Sequence, residues 1–294
     1  MTFLSGVIAI VGPPNAGKST LLNRFTSTKL AIVSPKPQTT RNRIVGVHHG
    51  DGYQMVFMDT PGIHKTYTAL HRSMVASAQA TFKEVDIIVV VIEMLHPEEP
   101  NMGIIMSNLR RAQKPTVLVI NKIDKGAKEQ LLPIIDAYRQ RYPFEAIVPV
   151  SALTGDGIER LLENLRSMLK PGPALFPPDM KTDQTESFWI SEIIREKIYA
   201  FTREELPYSC AVTAEIIEDG PEKSLVSVIA RIHVESESQK GILIGSRGKM
   251  VKAIGQASRE EMEKLFGAKV LLDLTVRVEK NWSKDPRALR RLGY

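Results

Sequence analysis

Cysteine is almost missing from this chain: Cys210 stands alone. One thiol can form neither an intramolecular disulfide nor a cysteine-rich zinc site, so the fold must rest on burial, and a reducing compartment suits it. With no partner nearby in sequence, Cys210 reads as a buried strand thiol. Long apolar runs are missing too. The longest, "IIVVVI" at 87–92, falls far short of the roughly 20 residues that cross a bilayer. The opening "MTFLSGVIAIVG" has no basic segment ahead of its apolar run, so no secretory leader is expected. Internal repeats, low-complexity tracts, a His/Glu cluster and a reactive cysteine near the C-terminus are all absent. The last two absences count against an RNA-modifying chemistry in the C-terminal half.

The chain does have enough apolar residue for ordinary cores. Its 294 residues, 43% hydrophobic and 24% charged, suggest about two domains. The net charge of +6 is unevenly placed: residues 171–237 carry 6 Lys/Arg against 13 Asp/Glu, and residues 238–294 carry 13 against 6. Positive charge gathered in one stretch is a footprint for a polyanion, with a solvated helix surface as the plain alternative.

From residue 7 to about 170, short apolar runs ("VIAIVG", "YQMVFMD", "DIIVVVIE", "PTVLVIN", "EAIVPVS") are separated by segments of ten or more residues. That alternation predicts a largely parallel sheet covered by helices, with chemistry at the C-terminal strand ends. The proline-rich stretch "PGPALFPPDMKTDQ" from 171 reads as a semi-rigid linker. The expected division is 1–170, a linker at 171–185, and 186–294. The last part reads helix, strand, strand, helix, helix, strand, with Phe188, Trp189 and Met262 as core candidates.

Gly12, Pro13, Pro14, Asn15, Ala16, Gly17, Lys18 and Ser19 match G-x-x-x-x-G-K-[ST] between a strand and a helix. Its glycines turn backbone N–H groups toward phosphate oxygens, the helix N-terminus with Thr20 adds its dipole, Lys18 neutralises the outer phosphates and Ser19 ligates magnesium. "NKID" at 121–124 follows a strand. A carboxylate at Asp124 accepts from guanine N1–H and its 2-amino group, a donor pair adenine lacks. Asn121 and Lys122 belong to the same loop. "SAL", Ser151, Ala152 and Leu153, ends the next strand and offers the Ala152 N–H to guanine O6. In "DTPG" at 59–62, Asp59 holds magnesium through water and the Gly62 N–H reaches the terminal phosphate. Together these residues resemble a translation-factor-class GTPase of the P-loop superfamily.

The resemblance breaks where many such enzymes place a water-orienting glutamine, because this chain has Ile63. "PQTTR" at 37–41 looks like the switch I loop, with Thr40 the better magnesium ligand and Thr39 its neighbour. Two roles are open to Asn15: it resembles the asparagine that binds a monovalent cation in potassium-stimulated GTPases, or it stabilises the turn. Slow, potassium-assisted hydrolysis through Asn15, Lys18, Thr40 and Gly62 is the expectation, with Arg41 and His64 folding the switches.

A second loop, Gly245, Ser246, Arg247, Gly248, follows "ILI" and precedes "KMVKAIG". A lone G-x-x-G is weak, but within the six-element order above it resembles a type II KH domain, whose G-x-x-G turn clamps about four single-stranded nucleotides. Arg247, Lys249 and Lys252 then face the sugar-phosphate path, and Ile242, Ile244 and Val251 offer an apolar floor. Trp282 has polar neighbours and is read as exposed, either stacking on a base or packing on the last strand. Arg287, Arg290 and Arg291 either touch phosphate or line a solvated helix.

The expected fold is therefore an α/β P-loop NTPase (small GTPase-like) domain followed by an α+β type II KH domain. This pairing resembles the bacterial Era GTPase family over essentially the whole chain. GTP/GDP, Mg2+ and possible K+ are the expected ligands; the resemblance implies binding to the 3′ region of small-subunit rRNA and a part in 30S subunit assembly, and the chain is expected to act as a monomer and not to bind DNA. The resemblance also implies a cytoplasmic protein loosely associated with the inner membrane face. The alternative is a signalling switch whose C-terminal domain docks a protein or membrane surface.

Overall fold

The computed structural model describes residues 2–34, 36, 39–62, 70, 74, 81–217 and 225–294. Ile63 and His64, singled out above, lie outside these residues. The chain divides into two compact units: one runs to Asp183, apart from Leu70, and the other comprises Gln184–Tyr294 together with Leu70.

The first unit is a sheet in the order β2-β3-β1-β4-β5-β6. Its strands are β1 (Leu4–Val11), β2 (Ile44–Gly50), β3 (Tyr53–Asp59), β4 (Ile87–Glu93), β5 (Thr116–Asn121) and β6 (Ala146–Pro149). All neighbours are parallel except β2, which runs antiparallel to β3. A short β7 (Lys170–Pro171) pairs antiparallel with the start of β1. Strands buried on both faces read as continuous apolar runs. In β4 that burial splits by alternation: Ile88, Val90 and Ile92 pack with Met102, Ile105 and Leu109 of α2 (Met102–Ala112). Behind the other face lie α1 (Lys18–Thr26), whose Phe25 stacks on Phe57 of β3 at 4.2 Å, and α4 (Ile158–Ser167), while α3 (Leu131–Arg141) places Tyr138 in the α2 layer.

Sequence alternation missed β2, because "IVGVHHG" mixes glycine and histidine into a short apolar pattern. Asp51-Gly52 behind it is a hairpin signal, and Gly52 takes φ 74°. The segment read as a linker is also more structured than proline content suggests. Gln54 of β3 accepts from the Leu175 and Phe176 amides at 2.7 and 3.0 Å and donates to the Phe176 carbonyl at 2.9 Å. The Val47 amide donates to the Lys181 carbonyl at 2.8 Å, and the Thr182 hydroxyl donates to the Val45 carbonyl at 2.6 Å. Residues 175–182 thus form a strap on the outer edge of the first sheet.

The second unit follows the expected order: α5 (Glu186–Phe201), β8 (Ala211–Ile217), β9 (Leu225–Val234), α6 (Glu237–Ile244), α7 (Lys249–Phe266), β10 (Lys269–Val278). A short α8 (Pro286–Arg291) closes the chain. β9 pairs antiparallel with β8 and parallel with β10, so β10 is an edge strand. Ile190, Ile194 and Ile198 of α5 and Ile254 and Met262 of α7 cover one face. Phe188 and Trp189 are half-buried beside that core. Cys210 is buried, as its isolation in sequence suggests. Among the described residues no helix is long and apolar enough to cross a membrane.

Candidate nucleotide and nucleic-acid sites

β1 ends at Val11 and α1 starts at Lys18, so residues 12–17 must reverse the chain over the strand end. Gly17 does this at φ 93°, where a β-carbon would also collide with the Asn121 amide nitrogen. α1 has Gly17 as its N-cap, with no side chain to cap the helix. Its first N–H groups and the positive end of its dipole are therefore available to an anion. Gly17, Lys18, Ser19 and Thr20 line a cleft of about 450 Å3, opposite Thr39, Thr40 and Gly62. Asn15 lies on its rim, with φ 63° supporting the turn.

The Lys18 ammonium is buried and donates to the Pro13 carbonyl at 2.8 Å. Burial pulls its pKa down to about 8, with the Asp59 carboxylate pulling partly back. Burial likewise raises the Asp59 pKa, against Lys18 and the hydrogen bonds of Ser19, Thr40 and the Thr60 amide. Ser19 Oγ donates to Asp59 Oδ2 at 2.6 Å and lies 2.7 Å from Thr40 Oγ1, which is 3.2 Å from the same Oδ2. Three elements, α1, the segment before β2, and β3, thus bring three oxygen side chains to one point. Asp59 is 0% exposed, and its Oδ1 has no hydrogen-bond partner among the described residues. A buried carboxylate oxygen beside two hydroxyls is the donor set of a hard divalent cation such as Mg2+.

Asn121 joins the "NKID" and "SAL" segments to the loop at 12–19. Its Nδ2 donates to the Ala16 carbonyl at 2.8 Å, and its Oδ1 accepts from the Ala152 amide at 3.0 Å. The Ala152 N–H, expected to face guanine O6, is therefore already engaged in this structure. Ser151 Oγ donates to Asp124 Oδ1 at 2.6 Å and aims the carboxylate. Lys122, at φ 64°, pairs with Glu93 Oε2 at 2.5 Å. Sequence reasoning missed Glu93, which the apolar pattern of β4 marks only as the end of a strand. It also missed Arg24, whose guanidinium reaches the Ala152 and Leu153 carbonyls from α1.

In the second unit, α6 ends at Ile244 and the G-x-x-G turn leads directly into α7. Gly245 takes φ 70° and Gly248 φ 75°, with open space around Gly248 for a close backbone approach. Ser246, Arg247, Lys249 and Lys252 are exposed. A groove of about 480 Å3 runs between α7 and the edge strand β10, with Val251, Lys252, Gln256 and Arg259 on one wall and residues 270–274 on the other. Gln256 and Arg259 were not foreseen, although they lie four and seven residues after Lys252 and so share its helix face. Ile242 is exposed, and Ile244 is half-buried at the helix end.

Trp282 requires a correction. It is 1% exposed, its indole N–H donates to the Ser209 carbonyl at 3.2 Å, and Tyr294 stacks on it at 5.7 Å. A ring buried in this way cannot stack on a base. Arg287 and Arg290 are exposed on α8, whereas Arg291 pairs with Glu279.

Known proteins match both parts of the chain. Residues 7–122 match the family model described as 50S ribosome-binding GTPase, and residues 205–283 match the KH domain model. GTPase Era of Syntrophus aciditrophicus is 50% identical over 99% of this chain and 95% of its own length. GTPase Era of Geotalea uraniireducens is 51% identical over 99% of this chain and 98% of its own. Among solved structures, Aquifex aeolicus Era bound to GDP and aluminium fluoride matches with a TM-score of 0.95 at 39% identity, covering 100% of this chain and 99% of that one. Era in complex with MgGDPNP and nucleotides 1506–1542 of 16S ribosomal RNA matches with a TM-score of 0.96 at 39% identity, covering 99% of each chain. With a relative near half-identical over nearly the full length of both chains, this chain belongs to the Era family of GTPases.

Proposed function

We propose that this protein is a GTP-hydrolysing, RNA-binding switch that takes the 3′ region of small-subunit rRNA in its second unit and serves 30S subunit assembly. One feature supports the reading: a single chain combines two features of different design, each suited to an anion. One is a phosphate cleft joined through Asn121 to a base-reading loop. The other is a G-x-x-G turn opening onto a basic groove. A relative of the same fold binds both a GTP analogue and 16S rRNA nucleotides.

At the nucleotide site, the α1 amides and Lys18 receive the phosphates, Asp124 reads guanine N1–H and the 2-amino group, and the Ala152 amide shares its hydrogen between Asn121 and O6. Ser19, Thr40 and Asp59 are the residues to hold Mg2+, which when bound neutralises charge on the outer phosphates. Gly62 presents its backbone to the terminal phosphate, and Asn15 on the cleft rim is the residue to favour K+. Equal turnover in sodium and potassium would remove that role.

At the RNA groove, the turn lets a phosphate approach Gly248 while Lys252 and Arg259 supply charge along the path. The protein acts as a monomer in the cytoplasm, and loose attachment to the inner membrane face is carried by the family resemblance. The test is the affinity for a short single-stranded RNA from the 3′ end of small-subunit rRNA, measured with GDP and with a non-hydrolysable GTP analogue. Tighter binding with the analogue is expected; no binding in either state would overturn the RNA reading.

A further inference from the structure

Arg24 lies on the second turn of α1, away from its N-terminus, and no motif marks it. Its Nε–H donates to the Ala152 carbonyl at 3.1 Å and its Nη2–H to the Leu153 carbonyl. The guanidinium also lies over Gly155, which takes φ 97° and whose β-carbon position is 3.7 Å from Nη1. These carbonyls belong to the loop whose Ala152 amide is proposed above to share its hydrogen with guanine O6. The rest of that loop is closed on itself: the Gly155 amide donates to the Ser151 carbonyl at 2.8 Å, the Ser151 amide to the Asp156 carbonyl at 2.9 Å, and the Thr154 amide to Ser151 Oγ at 3.1 Å. It is a small rigid turn that needs fixing as a body.

Two braces fix it. Asn121 ties the Ala152 amide to the phosphate loop at Ala16. Arg24 ties the carbonyls of residues 152 and 153 to the helix whose first turn carries Lys18 and Ser19. A planar guanidinium with two donors on successive carbonyls sets orientation as well as distance, which a lysine point charge does not.

We propose that Arg24 is a positioning residue for guanine recognition, holding the O6-reading turn at a fixed distance and angle from the phosphate-gripping end of α1. The inference rests on the reading of Ala152 given above. It implies that selectivity at position 6 of the base is set partly from the phosphate helix, while selectivity at position 2, read by Asp124, is not.

The test compares Arg24→Met, of similar length without donors, with Arg24→Lys and the unchanged full-length protein. Three ligands are titrated: GDP, IDP, which lacks the 2-amino group, and the diphosphate of 2,6-diaminopurine riboside, which carries an amino group in place of O6 and so also lacks N1–H; the N1 change falls on Asp124 and is common to every variant, so only the difference between variants reports on position 6. In the unchanged protein GDP should bind tightest. In Arg24→Met, the preference for GDP over the 6-amino analogue should narrow by about tenfold, the scale of two net hydrogen bonds. The preference over IDP should stay constant, and Arg24→Lys should fall between.

Equal narrowing on both axes, or equal weakening of all three ligands with a lowered melting temperature, would mean a general structural role and overturn the proposal. Unaltered selectivity in Arg24→Met would overturn it while leaving the base-site reading intact. An unchanged protein that does not distinguish GDP from the 6-amino analogue would overturn that reading as well.

Discussion

The indole N–H of Trp282 donates to the carbonyl of Ser209, 73 residues earlier, and anchors the tail to the loop ahead of β8. Ser209 Oγ in turn accepts from Gln239 Nε2 at 3.0 Å, on the first turn of α6. Replacing Trp282 with alanine empties a fully packed site, at a cost of about 3–5 kcal/mol. Urea unfolding of the full chain should show that loss in the second unit, with Trp282→Phe losing much less. An alanine variant of unchanged stability would mean that the tail is not held this way.

The Ser19–Thr40–Asp59 cluster makes a separate prediction. Asp59→Asn removes the one formal negative charge of the set while keeping its shape. Hydrolysis should fall by about 100-fold, in the range seen when one transition-state contact is lost. Half-maximal activity should shift to higher Mg2+, and chelation should cost the variant less nucleotide affinity than it costs the unchanged protein. A magnesium titration that overlays the unchanged protein would contradict this assignment.

Gln54, 1% exposed, satisfies three backbone groups of the strap. Gln54→Ala orphans them at about 1–3 kcal/mol for each group that water does not reach. Hydrogen exchange at the Leu175 and Phe176 amides should accelerate in the variant, while exchange in β4 and β5 stays unchanged. Slow exchange at those two amides in Gln54→Ala would mean that something else holds the strap.

What the sequence made legible is what is chemically local. The phosphate loop, "NKID" and "SAL" each fit within a few residues, because backbone turns and single side chains do the work at strand ends. The parallel strands were legible because burial on both faces leaves continuous apolar runs. Arg24 and Glu93 were not, since their partners lie 128 and 29 residues away and an arginine on a helix or a glutamate after a strand is ordinary by itself. Trp282 was misread because polar neighbours report their own exposure, not that of a ring turned inward beneath them. Proline marked residues 171–184 as irregular, but irregular backbone still pairs with an open strand edge.

His233 supplies a pH dependence. Its Nδ1 lies 3.1 Å from Glu279 Oε2 and its Nε2 lies 3.0 Å from Thr213 Oγ1. Burial lowers its pKa from the usual value; the Glu279 carboxylate opposes that shift, and Arg291 and Arg277 reinforce it. A histidine whose folded pKa lies below its unfolded one binds fewer protons when folded. Its contribution is fully present above about pH 6.5, the unfolded value, and is lost as pH falls through the folded value. Both tryptophans lie in the second unit, so their fluorescence reports its unfolding. The midpoint in urea should drop between pH 7.5 and 5.5, and His233→Gln should flatten that drop. A slope unchanged by the substitution would assign the acid sensitivity to carboxylates.

Lys252 and Arg259 share one wall of the groove between α7 and β10, two turns apart on an exposed helix face. Charges so placed meet phosphates rather than base edges, and a phosphate contact strengthens all sequences alike by releasing counterions. Lys252→Ala should therefore weaken binding of every single-stranded RNA by a similar factor and reduce the salt slope by about 0.7 per lost contact. The double variant with Arg259→Ala should reduce it by about twice that. Base preference should persist in both. If the salt slope stayed the same while base preference changed, the two side chains would be reading bases, and the phosphate path would have to run along Arg247 and Lys249 instead.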